Sequence, residues 1–264
     1  MKKPLLSLLK ERFPEYKEGE LYAFVLCGDV YCDGEKIRET SRKVDVKGEL
    51  EIRTKKYVSR GGFKLEGALD EWGIDCNKKI FIDAGSSTGG FTDCLLQRGA
   101  SLVYAVDVGY NQLDYSLRNN SRVVVREKCN IMDVEELDPA PHIGVADLSF
   151  RSIGGAATKI IGLTTTRKLL ALIKPQFEVE NSAGFNGVIS DPETWRRVLF
   201  DVCECLHGEG LYVSRLSPSK VKGKKGGNQE FMALIVPRER DSDFESFHSY
   251  YSELIGQCLG KVVG

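Results

Sequence analysis

Phe81-Ile82-Asp83-Ala84-Gly85-Ser86-Ser87-Thr88-Gly89-Gly90-Phe91-Thr92 is an apolar run that closes on an acid and passes through a small-residue turn into the start of a helix. Glycine and serine let a backbone approach a ligand closely, and the amides that open the helix can face the ligand's polar end. The spacing is not that of a dinucleotide loop. Asp-x-Gly-x-x-x-Gly-Gly places its glycines differently from Gly-x-Gly-x-x-Gly, and an acid at the strand end suits an amino group rather than a pyrophosphate. S-Adenosylmethionine has that chemistry, with a zwitterionic amino acid moiety and a positive sulfonium. Its candidate ligands are Asp83, Gly85, Ser86, Ser87, Thr88, Gly89, Gly90 and Phe91.

Leu102-Val103-Tyr104-Ala105-Val106-Asp107 reads as the next strand, and Asp107 falls 24 residues after Asp83. An acid about 20 residues beyond a glycine loop commonly takes the ribose hydroxyls. Either acid alone could simply end a strand; the two at this spacing are harder to assign to capping. Asn130 and Asp133, after the third strand, are expected near the adenine. Strands near Lys79, Leu102, Arg122, Ile143, Lys168, Gly210 and Glu230 alternate with helices near Phe91, Ser152 and Pro192, which predicts a parallel, doubly wound sheet. The last two strands have no helix between them and should pair antiparallel. The fold class expected is α/β, a Rossmann-like methyltransferase sheet with a small α+β domain before it.

The 264 residues, 42% hydrophobic and 28% charged, describe an ordinary globular chain, and a net charge of −1 argues against a nucleic-acid partner unless the bases are segregated. The start imitates a secretion signal until Lys10-Glu11-Arg12 ends the apolar run, and no later run is long enough to span a bilayer. Eight cysteines without a Cys-x-x-Cys pair read as reduced thiols, with no metal, in a soluble cytoplasmic protein. Helices are predicted at Leu5 to Phe13 and around Leu21 to Leu26, followed by a tight hairpin at Asp33-Gly34. This pattern resembles the S-four RNA-binding domain of ribosomal proteins and pseudouridine synthases; a capping subdomain without a ligand is the plainer alternative. Between it and the glycine loop, Arg53 to Leu65 carries five bases, two aromatics and no acid. Such a hinge could track phosphates and stack a base, or simply be a solvated linker. The predicted divisions are 1–52, a basic linker 53–63, a methyltransferase domain 64–238 and a helical tail 239–264.

Lys64, Asp147, Lys174 and Glu230 occupy strand ends or the first helix of the large domain, where open α/β sheets bind their ligands. Five motifs surround them in order: Ser59-Arg60-Gly61-Gly62-Phe63-Lys64-Leu65, the loop from Asp83 to Thr92, Ala146-Asp147-Leu148-Ser149-Phe150-Arg151-Ser152, Lys174-Pro175-Gln176-Phe177-Glu178 and Gly227-Asn228-Gln229-Glu230-Phe231. Together they resemble the TlyA family, whose members carry both hemolysin and rRNA 2′-O-methyltransferase names and have an FtsJ-type catalytic domain. The resemblance covers nearly the whole chain except the tail. It implies that Lys64, Asp147, Lys174 and Glu230 are a catalytic tetrad and that rRNA or a ribosomal subunit is the partner, with a cytidine as the favoured target. Arg53, Lys55, Lys56 and Arg60, with Lys220, Lys222, Lys224 and Lys225, are the candidate phosphate contacts.

A ribose hydroxyl is a weak acid, so its oxygen must be placed in line with the methyl donor and its proton accepted. Lys174 is the candidate, either as a neutral base or as a cation that steadies the developing oxyanion with Asp147 orienting it; residue types leave both open. Base-amine methylation would call for Asn or Asp-Pro-Pro-aromatic where this chain has Asp147-Leu148-Ser149-Phe150, and pyrimidine-carbon methylation would need a nearby cysteine. A membrane-active hemolysin, a non-catalytic RNA-binding protein and a small-molecule methyltransferase are the competing readings.

Overall fold

The structure, a computed structural model, describes residues 2–53, 56–149, 153–178, 187–223, 227–238 and 244–263. The first fifty residues build a unit with its own core. Strand β1 (Lys2–Pro4) leads into α1 (Leu5–Arg12) and α2 (Glu18–Cys27), then come β2 (Val30–Cys32), β3 (Glu35–Ile37), β4 (Lys43–Asp45) and β5 (Leu50–Ile52). Leu5, Leu8, Leu9, Leu21, Val25, Val30 and Ile37 are buried together. The β2–β3 hairpin turns at Asp33-Gly34 with both residues at positive φ, 49° and 79°. That backbone matches the right-handed twist of the strands it joins and favours this residue pair. Strand β5 pairs with the other edge of β2, and β4 pairs with β1. These three-residue strands lacked any readable period in the sequence.

The large unit runs α3 (Gly61–Trp72), β6 (Ile80–Ala84), α4 (Gly90–Gln97), β7 (Leu102–Asp107), α5 (Tyr115–Arg118), β8 (Val123–Glu127), β9 (Ile143–Ala146), α6 (Ala156–Gly162), β10 (Leu169–Ile173), α7 (Pro175–Glu178), α8 (Pro192–Gly208), β11 (Leu211–Pro218), β12 (Phe231–Pro237) and α9 (Phe244–Val263). Its seven strands lie in the order β11-β12-β10-β9-β6-β7-β8. Strands β6 to β10 are parallel, and β12 is antiparallel to both β10 and β11. Alternate residues serve opposite faces: Ile82, Ala84, Tyr104 and Val106 join one apolar cluster, Phe81, Val103 and Ala105 the other. Both faces are therefore covered, and polar groups collect at the strands' carboxyl ends.

Two boundaries differ from expectation. Helix α3 opens at Gly61, within the predicted linker 53–63 and three residues before the predicted domain start at Lys64; its Gly62 packs against Tyr57 where no side chain would fit. The helix expected near Ser152 is described from Ala156; Ser152 itself lies outside the described residues. The terminal helix is part of the large unit's packing. Tyr251 and Ile255 of α9 are fully buried, the Val213 N–H donates to the Tyr251 hydroxyl at 2.9 Å, and Lys261 pairs with Glu71 at 2.6 Å.

Candidate active site

The loop after β6 reverses direction through Gly85 (φ 80°), Ser87 (φ 47°) and Gly89 (φ 94°). A Cβ at Gly85 would sit 2.6 Å from the Asp147 carbonyl oxygen, so the backbone there is free of side chain where it crosses the neighbouring strand end. The Gly85 and Ser86 N–H groups donate to the Val106 carbonyl, and Asp114 N–H donates to the Thr88 carbonyl at 3.2 Å. These bonds fix the loop from both sides.

The two strand-end acids have different surroundings. Asp83 is fully buried on the α4 side, where its Oδ2 accepts the Thr92 N–H at 3.0 Å and the Thr92 hydroxyl at 2.7 Å. Its Oδ1 is buried with no hydrogen-bond partner. Burial pushes the Asp83 carboxyl up to about 7, with Asp147 and Asp107 adding repulsion and the Thr92 bonds opposing. Asp107 is half-buried. Its Oδ2 accepts the Ser87 N–H at 2.8 Å and its Oδ1 the Gly109 N–H at 2.6 Å, so it ties the glycine loop to the next loop while also facing a cleft.

That cleft runs along the carboxyl ends of the central strands. Its larger lobe, about 570 Å³, is lined by Gly85, Ser87, Asp107, Val108, Asn130 and Met132, among others, and reaches Asp147 and Ser149. The smaller lobe, about 140 Å³, is lined by Ser59, Gly61, the loop from Gly85 to Thr88, Gly90, Phe91, Asp147, Ser149 and Lys174. The lobes share Gly85, Ser87, Asp147 and Ser149. Asn130 lines the larger lobe and its Oδ1 accepts the Met132 N–H at 3.1 Å. Asp133, expected beside it, is exposed and does not line the cleft; Met132 takes that place. Val108, Gln112 and Met132 were missed because nothing in their residue types marks a site; only their positions after β7 and β8 could have done so. Cys129 also lines the larger lobe, whereas Lys174 lines the smaller one.

Four ionisable side chains form two ion pairs, and one of these, Lys174–Asp147, lines the smaller lobe. Lys64 reaches from α3 to hydrogen-bond Glu230, and both are buried. Lys174, at the end of β10, lies 2.5 Å from Asp147 Oδ1, an ion pair without hydrogen-bond alignment. Its Nζ donates to the Leu148 carbonyl at 3.0 Å and to the Ser149 hydroxyl at 3.3 Å. Gln176, two residues beyond Lys174, points its Nε2 at Glu230 Oε1, 3.5 Å away. Glu230 is held from behind: Ser219 N–H donates to its carbonyl, and the buried Gln229 amide donates to the Ser219 and Glu230 carbonyls.

The basic residues are more varied than their sequence run suggested. Arg53 pairs with Glu51 at 2.5 Å and lies over the Tyr31 ring, and Lys56 pairs with Glu66. The acids come from β5 and α3, outside the acid-free stretch. Arg60 instead donates to the Lys222 carbonyl and so joins the linker to the β11–β12 loop. Lys220 and Lys222 are exposed and, like Arg60, have no ion-pair partner among the described residues. Lys55, Lys224 and Lys225 lie outside the described residues.

A doubly wound sheet with one antiparallel strand inserted before its edge, and a ligand cleft across its carboxyl ends, defines an S-adenosylmethionine-dependent methyltransferase. Residues 57–235 match the model of the FtsJ-like methyltransferases. Hemolysin A of Brachyspira hyodysenteriae is 39% identical over 85% of this chain and 99% of its own length. The 16S/23S rRNA (cytidine-2′-O)-methyltransferase TlyA of Mycobacterium tuberculosis is 38% identical over 70% of each chain. A solved structure described as a hemolysin from Streptococcus thermophilus superposes with a TM-score of 0.70 at 32% identity, covering 99% of this chain and 97% of that one. The chain belongs to the FtsJ-like methyltransferase family, in the branch that holds TlyA and hemolysin A.

Proposed function

We propose that this chain transfers a methyl group from S-adenosylmethionine to a ribose 2′-oxygen of ribosomal RNA, at a cytidine. The observation that carries the reading is the Lys174–Asp147 ion pair on the small lobe that continues from the glycine-lined cleft, with the buried Lys64–Glu230 pair joined through Gln176 to the segment that follows Lys174. The cofactor fits what is present. A buried carboxylate oxygen without a partner, Asp83 Oδ1, lies behind a loop whose Gly85 lines both lobes of the cleft. Asp83 and the loop from Gly85 to Phe91 would hold the amino acid end, Asp107 the ribose, and Asn130 with Val108 and Met132 the adenine. Bound, the cofactor supplies an electrophilic methyl on a sulfonium.

The chain's own work is on the acceptor. Lys174 holds the ribose oxygen and either, as a neutral amine, receives the proton its hydroxyl loses or, as an ammonium, steadies the developing oxyanion while the proton passes to solvent; Asp147 fixes its direction and the Leu148 carbonyl limits its swing. The buried Lys64–Glu230 pair would support this arrangement through Gln176. Residues 2–52, the linker and the 219–223 segment would carry the RNA, with Arg60 as the joint. A cytoplasmic ribosomal substrate follows from this reading. Among the described residues no helix is long and apolar enough to cross a membrane.

Incubation with methyl-labelled S-adenosylmethionine and ribosomal subunits, followed by mapping of the label, should find it on a cytidine 2′-oxygen. The Lys174→Ala variant should lose turnover by about 10²–10⁴-fold with cofactor affinity kept, since its role belongs to the transition state. Turnover near wild type in that variant would assign the proton to another group, and label on a base would overturn the ribose reading.

A further inference from the structure

An exposed aromatic–cation pair stands at the far end of the cleft from the tetrad, and nothing above uses it. Tyr110 is 68% exposed and its neighbour Val108 71%. The Lys128 ammonium lies 4.3 Å from the centre of the Tyr110 ring and has no ion-pair partner among the described residues. The backbone that presents them is tightly held. Glu127 accepts the N–H groups of Asn111, Gln112 and Leu113 at 2.8, 3.0 and 3.3 Å and pairs with Arg118 at 2.6 Å. Lys128 N–H donates to the Gly109 carbonyl at 2.9 Å. Asn111 and Lys128 both sit in the left-handed region, φ 56° and 53°, which costs a non-glycine residue on the order of 1 kcal/mol and persists only where surrounding bonds enforce it. A large aromatic surface is thus kept in solvent on a strained, braced turn, with an unpaired cation above it.

We propose that Tyr110 and Lys128 form a second RNA contact, in which a base stacks on the tyrosine face and the lysine neutralises an adjoining phosphate; this rests on the rRNA reading above. Stacking on an aromatic contributes about 1–3 kcal/mol per base and tolerates any base, and the free ammonium selects a polyanion over an apolar partner. Sheet order gives its reach. Tyr110 and Lys128 follow β7 and β8, whereas Glu230 precedes β12, five strand positions from β8. At about 4.8 Å per strand the two sites stand roughly 24 Å apart. A helical strand that rises about 3.4 Å per nucleotide crosses that in roughly seven nucleotides. The cofactor would lie beneath the RNA that joins them.

The test uses the full chain, cofactor and two rRNA fragments around the mapped cytidine, one extending about three nucleotides to either side and one about fifteen. With the long fragment, Tyr110→Ser combined with Lys128→Gln should raise KM about tenfold or more, leave kcat and S-adenosylmethionine affinity unchanged and flatten the salt dependence of binding by about 0.7–0.9 in log–log slope. Tyr110→Trp should keep the wild-type KM. The short fragment should not distinguish the variants. Unchanged KM and slope on the long fragment, with wild-type methylation intact, would overturn this contact and leave the rRNA reading standing; no methylation by the wild type of either the fragments or whole ribosomal subunits would overturn that reading itself. A defect seen only on whole ribosomal subunits, and not on either naked fragment, would assign the patch to a ribosomal protein and also overturn the proposal.

Discussion

The two halves of the sheet's carboxyl edge hold their charges in different ways. Around β9, β10 and β12 the acids and lysines are satisfied by one another: Lys64 by Glu230, Lys174 by Asp147. Around β7 and β8 the acids are satisfied by backbone: Asp107 by Ser87 and Gly109, Glu127 by three successive N–H groups that, with Arg118, hold its carboxyl down to about 2. Side-chain pairs can rearrange as a substrate oxygen enters and its proton leaves. Backbone donors cannot, and they suit a cleft that must present one fixed shape to a cofactor. The half proposed to be catalytic should therefore fail when one side chain is removed, the cofactor half when its backbone or the Asp83 carboxylate, with its free Oδ1, is altered.

The largest effect expected on the catalytic half is on stability as well as rate. Lys64→Ala leaves Glu230 buried opposite a gap, and breaking a buried pair from one side costs about 3–5 kcal/mol. Replacing both partners, Lys64→Met with Glu230→Leu, should recover most of that stability in urea denaturation while turnover stays lost. A Lys64→Ala protein as stable as wild type would show that the pair is solvated and that the contrast between the halves is false.

The pH dependence of cofactor binding separates the halves more finely. Because the folded Asp83 carboxyl sits near 7, above its usual range, the fold favours the protonated acid. Stability linked to it is highest below the ordinary carboxylate range and declines as pH rises from about 4 to 7. An ammonium needs the ionised form, so S-adenosylmethionine affinity should rise roughly tenfold from pH 5.5 to 7, then level off as the ligand's own α-amine, ordinarily about 7.7–8.0, begins to lose its proton. Asp83→Asn should bind weakly and without that rise, whereas the variant Asp107→Asn should weaken binding but keep it. Calorimetry across this window decides, and a flat wild-type profile would remove Asp83 from the ammonium site.

How much of this was legible depends on how local each signal was. The glycine loop, the acids at strand ends and the Asp33-Gly34 turn are set by backbone geometry within a few residues, and the sequence shows them directly. Lys64, Asp147, Lys174 and Glu230 stood out because they are charged where apolar residues would otherwise serve; their role as a tetrad came from the resemblance, and their pairing, across 166 residues for Lys64 and Glu230, needed the fold. Strands β4 and β5 were hidden because three residues are too few to show a period. Lining by Val108 and Met132 was hidden because apolar residues carry no mark of a site. The linker's charge was overestimated because Glu51 and Glu66, outside the run, neutralise Arg53 and Lys56.

That last difference sharpens where RNA phosphates should be felt. Arg60 donates to the Lys222 carbonyl, and neither has an ion-pair partner among the described residues, so no paired acid offsets their charge. Lys220 lies near Glu71, which is already engaged by Lys261 and Ser217, so part of its field is spent within the protein. Each fully neutralised single-strand phosphate contributes about 0.7 to the fall of log affinity with log salt. Lys222→Ala should therefore reduce that slope by about 0.7, Lys220→Ala by less, and Arg53→Ala or Lys56→Ala by less again because an acid partner is left behind. Cofactor affinity should be the same in all four. Filter binding of an rRNA fragment between about 50 and 200 mM salt measures the slopes; equal losses for the paired and unpaired bases would mean that the ion pairs open on RNA binding, and that the linker contributes its charge in full.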